Sequence, residues 1–131
     1  MDDSFKLEII SPEKVVFSDN TNMVTLPSYE GDMSILKNHI STITFLRPGI
    51  IKAQMSDTKV EEFFVQDGTV EYFDNYLVVL SASAINLKNL SKEFLDTLSN
   101  DTQNKLGQKD ITDHDRYVLS HKLDVIKEIR V

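Results

Sequence analysis

The 131-residue chain has no cysteine and no tryptophan, and only four glycines and three prolines. Without cysteine there can be no disulfide, thiolate nucleophile, iron–sulfur ligand or Cys-type zinc site. Positive charge is also scarce. Lys and Arg number 14 against 21 Asp and Glu, for a formal net charge of −7. Nucleic acid and anionic lipid are held by clustered Lys and Arg, so this balance argues against nucleic-acid binding and electrostatic docking on lipid. No apolar run approaches the roughly 18 residues that cross a bilayer, so direct membrane insertion is not expected. The opening Met1-Asp2-Asp3-Ser4 is acidic and does not read as a secretory signal, so the default location is the cytoplasm or a compartment reached without an N-terminal signal.

What is present has two textures. Up to about residue 87, short apolar runs are cut at the 8–12-residue spacing of a sandwich or barrel. Phe5, Leu7 and Ile9 alternate with Lys6 and Glu8, and Ile43 and Phe45 alternate with Thr42 and Thr44. Val15–Phe17, Met23–Leu26, Ile50-Ile51, 60–65, 70–73 and 76–80 continue the series. Turn chemistry falls at Ser11-Pro12-Glu13, Ser18-Asp19-Asn20, Glu30-Gly31-Asp32 and Arg47-Pro48-Gly49, and Pro27 stops the third run. Asp67-Gly68 and Asp74-Asn75 stand where hairpin turns are expected.

From about residue 88 the period changes. Leu87, Leu90, Phe94 and Leu98 fall at helical spacing, with Leu95 beside them and Ser91 as N-cap. Ser99 to Asp110 is polar, contains Gly107 and reads as a connection. Thr112-x-x-Asp115 resembles a capping box, and Val118, Leu119, Val125, Ile126 and Ile129 form the stripe of a second helix. The expected organisation is a strand domain over 1–87 and a helical hairpin over 88–131. The first carries 6 basic and 13 acidic side chains, the second 8 of each, so the acidic excess belongs to the strand domain.

Motifs for chemistry are missing. There is no G-x-S-x-G, P-loop, G-x-G-x-x-G or H-E-x-x-H. His114 and His121 are seven apart, whereas two metal ligands on a helix need a spacing of three or four. Asp113 and Asp115 suit a helix N-terminus without any metal. Asn89-Leu90-Ser91 and Asn100-Asp101-Thr102 match the glycosylation pattern but lack a secretory signal. A hydrolase using Asp32, His39 and Asp67 fails for want of a nucleophile or metal framework. The residues alone describe a non-enzymatic interaction protein, catalytic, cofactor and metal residues all being absent. Its simplest form is a free-standing β-sandwich module with a helical dimerisation tail.

One stretch is more specific. Glu30-Gly31-Asp32-Met33-Ser34-Ile35-Leu36-Lys37-Asn38-His39, then Leu46-Arg47-Pro48-Gly49-Ile50-Ile51, follows Leu7-Glu8-Ile9-Ile10-Ser11-Pro12 and Phe17-Ser18. Downstream come Phe63-Phe64-Val65-Gln66-Asp67-Gly68-Thr69-Val70-Glu71 and Tyr76-Leu77-Val78-Val79-Leu80-Ser81. This order resembles the epsilon subunit of bacterial F-type ATP synthase, whose mitochondrial counterpart is called delta. The resemblance covers residues 5 to about 90 and reaches the tail by architecture.

The resemblance implies an N-terminal ten-stranded β-sandwich and a C-terminal two-helix hairpin, a mainly β fold with α. It implies a non-catalytic part of the F1 central rotor that joins the gamma subunit to the c-ring and couples proton flow to ATP synthesis. Such a subunit is peripheral, on the cytoplasmic face of the bacterial inner membrane. Gly31, Asp32 and Met33 match the turn that touches the c-ring, and His39 matches a histidine near the gamma-facing surface. Asp32 stands where the family usually has Glu, and Asn38 where it has Gly; Asn tolerates left-handed backbone. The last helix is implied to reach the alpha and beta subunits as a brake on hydrolysis. Lys122, Lys127 and Arg130 would supply its charge, diluted by Asp124 and Glu128, so the expected brake is weak. Some members bind ATP on the hairpin through an Ile/Leu-Asp-x-x-Arg-Ala motif. Here Ser91, Phe94 and Leu95 replace its Asp, Arg and Ala, so ATP binding is expected to be absent.

Overall fold

The computed structural model describes residues 2–129 and divides into two compact units, Met1–Leu87 and Lys88–Val131. Arg130 lies outside the described residues.

The first unit holds ten strands: β1 Phe5–Ile10, β2 Val15–Thr21, β3 Met23–Ser28, β4 Gly31–Leu36, β5 Thr42–Leu46, β6 Gly49–Gln54, β7 Val60–Val65, β8 Gly68–Phe73, β9 Tyr76–Leu80 and β10 Ile85–Asn86. They form one ten-stranded sheet that folds over at a corner, where Ser28 of β3 pairs with Leu46 of β5, into the two five-stranded sheets of a sandwich, β10-β7-β6-β3-β4 and β5-β8-β9-β1-β2. Ser28 is fully buried there, and its hydroxyl meets that of Thr44 at 3.0 Å, so the corner's polar groups satisfy each other. All pairings are antiparallel except β1 with β9.

The core follows from the period of two. Phe5, Leu7 and Ile9 of β1 face Val24, Leu26, Ile35, Ile51, Phe63 and Val65 of the other sheet, with Val70, Tyr72, Leu77 and Val79 beside them. Burying each such side chain stabilises the fold by about 1.5–3 kcal/mol. Phe5 meets Tyr72 edge-on at 5.7 Å, and Phe17 meets Phe63 at 5.2 Å.

Several local expectations change. Ser18-Asp19-Asn20 is not a turn but part of β2, an edge strand paired only with β1, where exposed polar side chains are tolerated. Pro27 does not stop β3; it sits in the strand opposite Asp32, and its carbonyl accepts the Arg47 N–H at 3.0 Å. Asp67-Gly68 closes no hairpin, because β7 pairs with β6 and β10 while β8 pairs with β5 and β9, on the other half of the sandwich. The chain crosses there from one sheet to the other. The Ser81 hydroxyl donates to the Asp67 carbonyl at 2.8 Å, and the Gln66 N–H donates to Ser83 Oγ at 2.9 Å. Asp74-Asn75 is the expected two-residue hairpin, both residues at positive φ as a type I′ turn requires.

A 3₁₀ turn, Leu87–Asn89, spans the boundary, and the second unit holds α1 Lys92–Leu106 and α2 Asp113–Glu128, which pack on each other. Ser91 and Thr112 are the N-caps, their hydroxyls accepting the N–H groups of Phe94 and Asp115, each at 3.0 Å. α1 continues well past Ser99, against expectation, and ends at Gly107. Its inner face is Leu95, Leu98, Ser99, Thr102 and Leu106, so two of five positions are hydroxylic and hydropathy alone passes over them. Thr102 is fully buried and its hydroxyl donates to the Leu98 carbonyl at 2.7 Å, which satisfies it inside the helix. Leu95 is buried while Phe94 is exposed. No helix among the described residues is long and apolar enough to cross a membrane.

Candidate docking surface

The residues proposed for partner contact occupy the two ends of β4. Tyr29-Glu30 makes the turn, and Gly31, Asp32 and Met33 are the first three residues of the strand itself. Gly31 has φ +118°, a conformation that favours glycine and that lets β4 double back on β3. Asp32 points outward and is 72% exposed. Arg47, at the end of β5, stands behind it, Nη2 to Oδ1 3.8 Å, so the carboxylate has a cation at its back and solvent in front. Met33 is half-buried and packs against the core.

His39 lies beyond the other end of β4, about 20 Å away at about 3.3 Å per strand residue. Asn38 has φ 66° and takes the left-handed turn. Its N–H donates to Asn75 Oδ1 at 2.7 Å, and Asn75 Nδ2 donates to Asn38 Oδ1 at 3.2 Å, so the two turns are tied. The Tyr72 hydroxyl donates to the same Asn75 Oδ1 at 2.8 Å. Burial raises the Tyr72 phenol above its ordinary pKa, so it stays a donor. His39 lies edge-on to Tyr72 at 5.8 Å, and its Nδ1 is 2.8 Å from the Ile40 carbonyl. A carbonyl only accepts, so Nδ1 carries the proton in this contact.

Between these ends lies a surface that sequence reasoning did not pick out. On the outer face of the β5-β8-β9-β1-β2 sheet, Phe45, Thr69, Leu80, Ile10 and Val15 stand abreast, one per strand. The next row is Ile43, Glu71, Val78, Glu8 and Ser18, and the third holds Phe73, Tyr76, Lys6 and Asn20. Ile43 is 75% exposed, Phe73 65% and Phe45 61%, with Leu80, Val15 and Tyr76 also exposed. A contiguous apolar face of this kind marks a docking surface. The alternation in β5 holds, but with its apolar half turned out and Thr44 turned in. The available signal was β9, Tyr76-Leu77-Val78-Val79-Leu80, apolar on both parities as in a strand covered on both faces.

Two carboxylates break the apolar face. The Tyr76 hydroxyl donates to Glu8 Oε1, and the Ser18 hydroxyl donates to Oε2 at 3.2 Å. The bond from Tyr76 foremost, with Lys6 and Ser18 adding, holds the Glu8 carboxyl below its usual range and raises the Tyr76 phenol. His114 and His121 do not come together with other ligands; among the described residues no metal-holding cluster of His, Asp and Glu occurs. His121 instead packs against Tyr117, ring centres 4.4 Å apart.

Residues 4–87 match the family model described as the ATP synthase delta/epsilon chain, beta-sandwich domain. The chain is 40% identical over 130 residues to the ATP synthase epsilon chain of Pelagibacter ubique, covering 98% of this chain and 99% of that one. It is 32% identical over 134 residues to the ATP synthase epsilon chain of Parvibaculum lavamentivorans, covering 99% and 98%. Among solved structures, a chain in the Euglena gracilis mitochondrial ATP synthase, OSCP/F1/c-ring, superposes with TM-score 0.75 at 18% identity, covering 97% of this chain and 79% of that one. A chain in the Tetrahymena thermophila mitochondrial ATP synthase central stalk and c-ring gives 0.61 at 14% identity, covering 94% and 93%.

Proposed function

The chain belongs to the ATP synthase epsilon chain family, and from that premise we propose how it meets its neighbours in the F1 central rotor. It is a non-catalytic subunit of ATP synthase. That membership sets aside the free-standing adaptor, which has no need of the loop order from Glu30 to Gly49.

The observation that carries the proposal is the exposed apolar face of the β5-β8-β9-β1-β2 sheet. In our reading the gamma subunit sits there, covering Ile43, Phe45, Phe73 and Leu80, with His39 at the edge of the contact. Asp32 stands at the far end of the same sandwich, where a c-ring loop offering Arg would meet it in a charge-assisted pair. Torque then crosses a rigid object: gamma grips the side, the c-ring grips the end, and ten paired strands lie between. Such a subunit stands at the cytoplasmic face of the bacterial inner membrane, held by proteins and not by lipid.

The test is binding of the full chain to purified gamma subunit from the same source, by co-elution and calorimetry. Tight one-to-one binding that Ile43→Ser and Phe45→Ser weaken is the expected result. No binding with both proteins folded would overturn the proposal.

A further inference from the structure

We infer that the partner surface seated on this sheet presents an Arg or Lys, ringed by apolar side chains, to the strip where Glu8 and Glu71 flank Val78. The inference rests on the docking reading above and assigns the chemistry of the other side.

Glu8 pairs in register with Val78, and Val78 with Glu71, so the three lie abreast on β1, β9 and β8. At about 4.8 Å between strands, the two carboxylates start about 10 Å apart, with a valine between them. A long cationic side chain laid over Val78 reaches both. Large apolar side chains stand around them: Ile43 lies beyond Glu71, and Phe45, Leu80, Phe73 and Tyr76 occupy the rows on either side, together with Thr69 and Lys6. A partner that covers those residues must also cover the carboxylates. A covered carboxylate without a cation costs heavily, whereas one with a hydrogen-bonded cation does not.

Within the described residues the Lys6 charge acts on Glu8 without forming an ion pair with it. Among the described residues neither Glu8 nor Glu71 makes an ion pair within 4 Å. Lys6 lies on the neighbouring row, opposite Tyr76. Glu8 is also oriented in advance, one oxygen held by Tyr76 and the other by Ser18. Such fixing lowers the ordering cost of a contact made later. Self-association is disfavoured, because residues 1–87 carry a net charge of −7 and two such faces would repel.

The experiment uses the full chain and gamma from the same source. Dissociation constants are measured at low and high salt for the wild type, Glu8→Gln, Glu71→Gln and the double variant, with Ile43→Ser as a probe of the face itself. Gln keeps the shape and an acceptor for Tyr76, and circular dichroism checks the fold. Each single Gln variant is expected to weaken binding roughly tenfold or more and to flatten its salt dependence. Unchanged affinity and salt dependence in the Gln variants, with Ile43→Ser still losing binding, would overturn the cation and leave the docking face standing. Unchanged affinity in Ile43→Ser would overturn the docking face and this inference with it. Dimerisation of the chain alone through this face at micromolar concentration would also overturn it.

Discussion

Gly49 lies directly against Pro27: a Cβ added to Gly49 would stand 2.4 Å from Pro27 Cβ and 2.8 Å from its Cγ. Both residues are buried near the corner where β3 leaves β6 for β5. The proline ring is rigid, so the overlap cannot be relieved by a rotamer change. Gly49→Ala is expected to destabilise the sandwich by about 1–3 kcal/mol, the usual cost of overpacking. Gly107→Ala is the control. It has φ −78° and an added Cβ would meet only ordinary contacts, 3.6 Å and beyond, so no loss is expected. Urea unfolding followed by near-ultraviolet dichroism separates the two. Equal stability of Gly49→Ala and wild type would refute the contact.

Asn75 is the knot of the His39 end. It stands at φ 61°, accepts from the Asn38 N–H and the Tyr72 hydroxyl, and donates to Asn38. Tyr72→Phe leaves the Asn75 oxygen with its partner at Asn38, so about 1 kcal/mol of stability is expected to go. Asn75→Ala removes all three bonds and adds left-handed strain, for a loss of about 2–4 kcal/mol. Asn75→Gly should fall between them, since it relieves only the strain. Chemical denaturation that ranks the variants in another order would show the turn is held by something else.

These contacts show where sequence patterns inform and where they stop. Alternation located most strands, and a capping hydroxyl located each helix start, because both signals are local. Ser18-Asp19-Asn20 misled because turn residues are also tolerated on an edge strand, and edge status is a property of the whole sheet. Asp67-Gly68 misled because a hairpin and a sheet-to-sheet crossing use similar residues. The extent of α1 was hidden by Ser99 and Thr102, which hydropathy marks as solvent-facing although Thr102 is buried. For the docking surface, Gly31, Asp32 and His39 came from family likeness. The apolar face between them needed the cross-strand register, which puts Phe45, Leu80 and Val15 abreast from three distant segments.

The Tyr76–Glu8 bond gives the sandwich a pH signature. Glu8 titrates below an ordinary glutamate, so its contribution is present above the usual value, about 4.3, and is lost as pH falls through its own lower value. Tyr76 is raised, so its contribution is present below the usual phenol value and is lost as pH rises through its higher one. In Tyr76→Phe the Glu8 midpoint is expected to move up toward the ordinary range. An NMR titration of the Glu8 side-chain carboxyl reads this directly. An unmoved midpoint would mean the hydroxyl does not hold it.

ATP is expected not to bind the helical hairpin. The position that would need a guanidinium fork is Phe94, which makes no bond to phosphate. Ser91 is committed to capping α1, its hydroxyl 3.0 Å from the Phe94 nitrogen, and Leu95 is buried. A calorimetric titration of the full chain with ATP should show no heat at micromolar concentrations. Micromolar affinity would place the nucleotide on contacts other than that motif.

The brake on hydrolysis should be weak for a related reason. A helix that leaves its hairpin to reach acidic surfaces needs net positive charge and enough length to hold its shape alone. α2 spans 16 residues, close to the limit at which an isolated helix is marginal in water. Its last two turns carry Lys122 and Lys127 against Asp124 and Glu128, so the charges cancel. Its apolar stripe is also engaged within its own unit: Ile126 is buried, and α2 packs on α1. Extension therefore loses packing without a compensating electrostatic gain. In the assembled complex, deleting residues 88–131 is expected to change the ATP hydrolysis rate by less than about twofold, a margin under 0.5 kcal/mol at RT ≈ 0.59 kcal/mol. A several-fold rise would show that the hairpin does open and that the docking surface it finds outweighs the contacts it leaves.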